Sequence, residues 1–147
     1  MANDSMRDPL CLDNQICFSL YSATNAMVRA YRPLLEKLDL TYSQYLAMMV
    51  LWQSDGISVK DMGEQLHLDS GTLTPLLKRL ETKGLVIRGR SEHDERVRVL
   101  NITAAARVLK LEAEKVPAQM KCQIQISEAK LMQLKSLCDE VYTNFTK

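Results

Sequence analysis

The stretch ISVKDMGEQLHLDSGTLTPLLKRLETKGL, Ile57 to Leu85, constrains the fold more than any other part of the chain. Ser58 is placed to cap a short helix whose inward residues are Val59, Met62 and Leu66. Leu68 bridges to Asp69, a second N-cap, and the helix that follows runs to Lys83 and is stopped by Gly84. Its inward face is Leu73, Leu76, Leu77 and Leu80. Two short helices separated by a tight turn form a helix-turn-helix. The next residues, LVIRGR and RVRVLNI, predict two short strands, with Val97 and Val99 alternating with Arg96 and Arg98 in the second. The polar turn Ser91 to Glu95 joins them. A helix-turn-helix followed by a two-stranded hairpin is a winged helix.

Long helices flank this unit. Upstream, Ile16, Leu20, Ala23, Met27, Leu34 and Leu38 recur on one face of an amphipathic helix, which Asp13 or Asn14 caps and Pro33 interrupts. Thr41 or Ser43 caps a second helix carrying Tyr45, Leu46, Met49, Val50 and Trp52 and ending before Asp55-Gly56. Downstream, Thr103 caps a helix with a stripe of Leu109, Ala113, Val116 and Met120, kinked at Pro117. A last helix carries Leu131, Leu134, Cys138, Val141 and Phe145 on one side. Five glycines and four prolines in 147 residues agree with long helices and few loops. The fold class is mainly α with a small β-hairpin, in a single domain: residues 41–102 form the winged helix-turn-helix, and 12–40 and 103–147 form helical dimerisation regions. The start (Asp4, Arg7, Asp8) is charged, and the longest apolar run, Tyr45 to Trp52, is too short to span a membrane, so a cytoplasmic protein is expected.

On the second helix of the pair, Ser70, Thr72, Thr74, Lys78 and Arg79 face away from the leucines. Short hydroxyls at a helix N-terminus hydrogen-bond phosphates or base edges, and the N-terminus itself favours an anion. Gly71 lets this end approach a groove closely, whereas Pro75 is expected to bend the helix or loosen its first turn. The hairpin carries Arg88, Arg90, Arg96 and Arg98, suited to the negative potential of a minor groove. A net charge of +1 decides nothing either way, because a basic patch is balanced elsewhere.

The four cysteines are Cys11, Cys17, Cys122 and Cys138; none forms a Cys-x-x-Cys pair, and neither histidine, His67 or His93, is near one in sequence. No metal and no cofactor are expected. By residue type alone Cys17 is an inert core residue. Its place in the first turns of its helix, where amide dipoles stabilise a thiolate, favours a reactive one, as do Tyr21 one turn on and Tyr31 or Tyr42 as phenolic donors. Both readings stand on these residues.

The sequence resembles the MarR-type winged-helix repressors over essentially its whole length, and within them the organic-hydroperoxide-sensing OhrR branch. DNQICFSLY matches that branch's reactive-cysteine segment, AYRPLLEKLDLTYSQYLAMMVLW the helices after it, and MGEQLHLDSGTLTPLLKRLETKGL the recognition unit. DERVRVLNIT fits the wing signature through Asp94, Arg96, Leu100 and Thr103. The resemblance implies a homodimeric repressor, not an enzyme, that binds a pseudo-palindromic DNA operator and is released by organic hydroperoxides. It makes Cys17 the thiol that is oxidised, places Tyr21, Tyr31 and Tyr42 in the sensor pocket, and puts Cys122 where two-cysteine members carry a resolving residue. Cys122 falls about 200° around its helix from Met120 and so off the stripe, whereas Cys138 lies on one and reads as core. Cys11 precedes the first helix. Two other functions compete: a MarR-type repressor released by a non-covalent aromatic ligand, and a thiol peroxidase, against which the lack of a thioredoxin-like strand-helix pattern around Cys17 counts.

Overall fold

A computed structural model describes residues 8–147; Asp4 and Arg7 of the charged start lie outside the described residues. The chain forms two compact units, the first ending at Val116 and the second spanning Pro117–Lys147.

In the first unit a 3-10 turn (Leu12–Asn14) leads into α1 (Ile16–Glu36), followed by α2 (Tyr42–Gln53), α3 (Val59–Leu66) and α4 (Ser70–Thr82). Strands β1 (Val86–Arg90) and β2 (Arg98–Ile102) come next, then α5 (Ala104–Ala113). From α2 onward the helices of this unit start on side chains whose oxygen accepts an otherwise unpaired amide. Thr41 opens α2 in a reciprocal capping box with Gln44, Ser58 accepts from Asp61 in α3, and Asp69 accepts from Thr72 in α4.

The helix-turn-helix is compact because of its turn. His67 takes a left-handed backbone (φ 57°), and the Leu68 amide donates to the Gly63 carbonyl at 2.9 Å. A Cβ at Gly63 would sit 2.9 Å from the Leu68 carbonyl oxygen, so this position of α3 tolerates no side chain without a shift. Leu73, Leu76, Leu77 and Leu80 of α4 are all buried, joined by Met62, Met48 and Leu51. Gly84, at φ 74°, turns the chain straight from α4 into β1.

The hairpin is antiparallel, with Val86 opposite Ile102, Arg88 opposite Leu100 and Arg90 opposite Arg98. It has a third, minimal strand absent from the sequence reading: Ser58 bridges Val99, and the Leu100 amide donates to the Ile57 carbonyl at 2.9 Å. Thr103 then ties the base of the hairpin together. Its hydroxyl donates to the Gly84 carbonyl (2.6 Å) and accepts from the Ala106 amide (3.2 Å), while its own amide donates to the Leu85 carbonyl. Thr103→Val keeps the side-chain shape and removes the cap; it is expected to cost about 1–2 kcal/mol and to lower the melting temperature by about 3–6 °C in thermal unfolding.

Several sequence expectations are altered. Helix α1 has Gln15 as its N-cap, with no side-chain cap, instead of Asp13 or Asn14, because those two residues belong to the preceding 3-10 turn. Helices α1 and α4 each continue as one helix past Pro33 and Pro75. The helix expected after Thr103 is two helices, α5 and α6 (Val116–Ile124), with the break at Glu114-Lys115 and Pro117 in the first turn of α6, where a missing amide costs least. The second helix is buried on more sides than its spacing indicated, with Ala47, Met48 and Leu51 inward and Met49 outward.

Apolar exposure is uneven. In α1 only Leu35 is buried, and Ile16 (70 % exposed), Phe18, Tyr21 and Met27 face solvent. In the second unit α7 (Glu128–Phe145) buries no residue and exposes Met132, Leu134, Leu137, Val141, Tyr142 and Phe145. Cys138 is half-buried there, so it is not core in this chain.

Candidate functional site

Two features of the first unit carry chemistry. One is the outer face of α4 with the hairpin. Ser70, Gly71, Thr72, Lys78 and Arg79 are exposed there and Thr74 is half-buried. The Thr72 amide donates to the Asp69 carboxylate at 2.7 Å. Hydrogen bonds from the Thr72 amide, then its hydroxyl, hold the Asp69 carboxyl below the usual carboxylate range. The cap is therefore anionic, and the Thr72 hydroxyl already has an acceptor.

The hairpin tip is folded by Asp94. Its carboxylate accepts the Arg96 amide at 3.0 Å and the Arg96 Nε at 3.3 Å, and its carbonyl accepts the Val97 amide. Asp94 thus holds a turn and points Arg96 outward, with the Arg96 side chain 91 % exposed. A carboxylate at this tip would itself repel a phosphate. Behind the tip, Arg90 and Arg98 are exposed and directly opposed, a like-charge pair that favours an anion beside it. Arg88 differs: its Nε donates to Glu81 Oε2 at 2.7 Å, and its side chain is only 30 % exposed. Glu81 had no role in the sequence reading, because nothing in the spacing ties a helix residue to a strand residue seven places on.

The second feature is the start of α1 and a group of tyrosines. Cys17 is exposed and is the second residue of α1. No side chain caps this helix and its first turn holds no acidic residue, so the amide end keeps its positive potential. Tyr31 and Tyr42 are brought together, with ring centroids 4.9 Å apart. Tyr45, which the spacing placed in the core, joins them at 5.9 Å from Tyr31 and 6.5 Å from Tyr42. Burial raises the pKa of all three phenols, reinforced by Tyr42 at Tyr31 and by both neighbours at Tyr45. They therefore remain protonated donors throughout the neutral range. Tyr21 is exposed and outside this ring cluster. Cys17 and Cys122 are both exposed thiols, Cys122 lying in the second unit; Cys11 and Cys138 are half-buried.

The polar outer face of α4 beside an arginine-tipped hairpin defines a winged-helix DNA-binding protein. Comparisons with known proteins place it more closely. Residues 29–113 match the family model of the transcriptional regulator SarA/Rot. The organic hydroperoxide resistance transcriptional regulator of Bacillus subtilis is 48 % identical over 129 residues, 88 % of this chain and 88 % of that protein. The structure of reduced AbfR bound to DNA, a Staphylococcus epidermidis protein, has a TM-score of 0.80 at 26 % identity, covering 97 % of this chain and 99 % of that one. Disulfide-formed AbfR gives 0.64 at 28 % identity, covering 95 % and 93 %. The chain belongs to the MarR-type family of winged-helix transcriptional regulators, which are DNA-binding proteins rather than enzymes. No group of histidine, cysteine, aspartate or glutamate among the described residues is arranged to hold a metal, and no described helix is long and apolar enough to cross a membrane.

Proposed function

We propose that this protein is a cytoplasmic, homodimeric repressor that leaves its operator when an organic hydroperoxide oxidises Cys17. The observation that carries this reading is an exposed cysteine in an uncapped, acid-free first helical turn, in a chain 48 % identical to an organic hydroperoxide regulator. Tyr31 lies fourteen residues along α1 from Cys17, about 21 Å by the helical rise. In this proposal Tyr31 and Tyr42 therefore act as phenolic donors to the peroxide at Cys17 of the other copy, and Tyr21, one turn from Cys17, is a third. The apolar faces of α1 and α7, exposed in one chain, are covered by a second copy. Residues 12–40 and 103–147 then serve the dimer, and 41–102 the DNA. A two-fold dimer reads a pseudo-palindrome with half-sites about one helical turn apart. Ser70, Thr72, Thr74, Lys78 and Arg79 face the major groove. Arg90 and Arg96 reach the minor groove or its phosphates, with Asp94 as the support of Arg96.

The chemistry balances without a cofactor. The Cys17 thiolate attacks one peroxide oxygen, the O–O bond breaks, and the leaving alkoxide takes a proton to become an alcohol. The sulfenic acid then condenses with the partner copy's second thiol, losing water. Cys122 is that thiol in this proposal, since it is exposed whereas Cys11 and Cys138 are half-buried. The bond requires Cα atoms within about 7 Å, and closing that gap turns the two winged helices out of register with the grooves. A disulfide-formed structure of AbfR, a structural relative, supports a redox-active thiol in this reading.

The test is operator release. An alkyl hydroperoxide is expected to release fluorescent operator DNA at about one equivalent per subunit, and a dithiol reductant to restore binding. Release only at large excess, or unaffected by reductant, would count against this function. Non-reducing gels are expected to show a covalent dimer that Cys122→Ser abolishes. Its persistence in Cys122→Ser and loss in Cys11→Ser or Cys138→Ser would assign resolution to another thiol.

A further inference from the structure

We infer that Arg88 is a positioning residue rather than a DNA contact, and that its ion pair with Glu81 sets how the hairpin stands against the recognition helix. The two elements it joins share only a short connection. α4 ends at Thr82, Gly84 makes a left-handed turn at φ 74°, and β1 starts at Val86. Such a link fixes where the hairpin begins. The Ser58–Val99 bridge ties the β2 edge to the start of α3, and on the β1 edge the stance against α4 is left to side chains.

Along the inner face of the hairpin the opposed residues run from core to tip as Val86 with Ile102, Arg88 with Leu100, and Arg90 with Arg98. Val86 and Leu100 are buried, and Arg90 and Arg98 are exposed. Arg88 therefore lies where apolar packing stops. Beyond it the hairpin has no buried side chain to hold it against α4. At that point Arg88 Nε meets Glu81 Oε2 at 2.7 Å, a charge-assisted hydrogen bond between β1 and the last turn of α4.

Glu81 is also three places beyond Lys78, one helical turn along the exposed side of α4. A free carboxylate there would oppose phosphate. Paired with Arg88, it is neutralised and becomes a brace. Arg96 and the opposed Arg90 and Arg98 are left as the cations the hairpin offers to DNA.

The two roles for Arg88 predict opposite signs for one substitution. If Arg88 touches phosphate, Glu81→Gln removes a competitor and a negative charge, and binding tightens. If Arg88 braces the hairpin, Glu81→Gln weakens operator binding by about threefold, the scale of an exposed ion pair. The charge reversal Glu81→Arg with Arg88→Glu keeps net charge constant and restores the pair across the same gap. It is expected to bind operator within about twofold of the native protein, whereas Arg88→Glu alone loses more than Glu81→Gln. Operator affinity of reduced protein, measured by fluorescence anisotropy at fixed salt, reads all three variants. Unchanged or tighter binding by Glu81→Gln overturns the inference, and so does a double variant no better than Arg88→Glu. Because only reduced protein is used, the result does not depend on how Cys17 responds to peroxide.

Discussion

Cys17→Ser is expected to bind operator DNA as tightly as the native protein and to remain bound at hydroperoxide concentrations that release the native protein completely. Serine is nearly isosteric, and Cys17 is exposed at the second position of α1, so neither packing nor the winged helix depends on the sulfur. What is lost is the nucleophile. An alcohol at neutral pH is not ionised, and without a thiolate the O–O bond is not attacked. Cys122→Ser differs in kind: oxidation still begins, and the protein stops at the sulfenic acid or depends on an added thiol. Sulfenic-acid trapping on operator-bound protein separates the two variants. Normal release by Cys17→Ser would remove the thiol from the mechanism and restore the reading in which an aromatic ligand acts without covalent chemistry.

The second large effect is expected at the hairpin tip. Arg96→Ala should weaken binding to operator and to random DNA alike by roughly tenfold, and lower the slope of log K against log salt by about 0.9 per subunit. The side chain is almost fully exposed, and the Asp94 carboxylate orients its charge. Thr74→Val, by contrast, should reduce the operator-to-random ratio with little change in salt dependence, because a groove-facing hydroxyl reads base edges and neutralises nothing. Salt titrations on both DNAs check the pair. A loss for Arg96→Ala confined to operator, with an unchanged slope, would make Arg96 a base reader.

The helix-turn-helix was legible because every device in it is local. Ser58 and Asp69 cap helices, Gly84 stops one, and the four leucines of α4 follow a 3.6-residue period; all take the places the sequence assigns them. Thr103 as a cap and the two strands are read by the same short-range chemistry. The resemblance in the cysteine segment located Cys17, and the start of α1 bears out its helical position.

Tertiary structure alone decided which charges are spent. The wing signature singles out Arg96 and Asp94, but nothing in the string separates Arg88 from Arg90 and Arg98, yet Arg88 is tied to Glu81 and the other two oppose each other. Tyr45 likewise reads as core by period, and only folding brings its ring beside Tyr31 and Tyr42. Lys83 is a further case. Its ammonium donates to the Asp39 carbonyl and to Gln44 Oε1, tying the end of α4 to the corner between α1 and α2. Gln44, 3 % exposed, is the one buried polar residue among those described. Caps and periods depend on neighbours within a turn or two of the chain, so sequence by itself determines them. Ion pairs and ring clusters depend on distances between segments that only packing brings together.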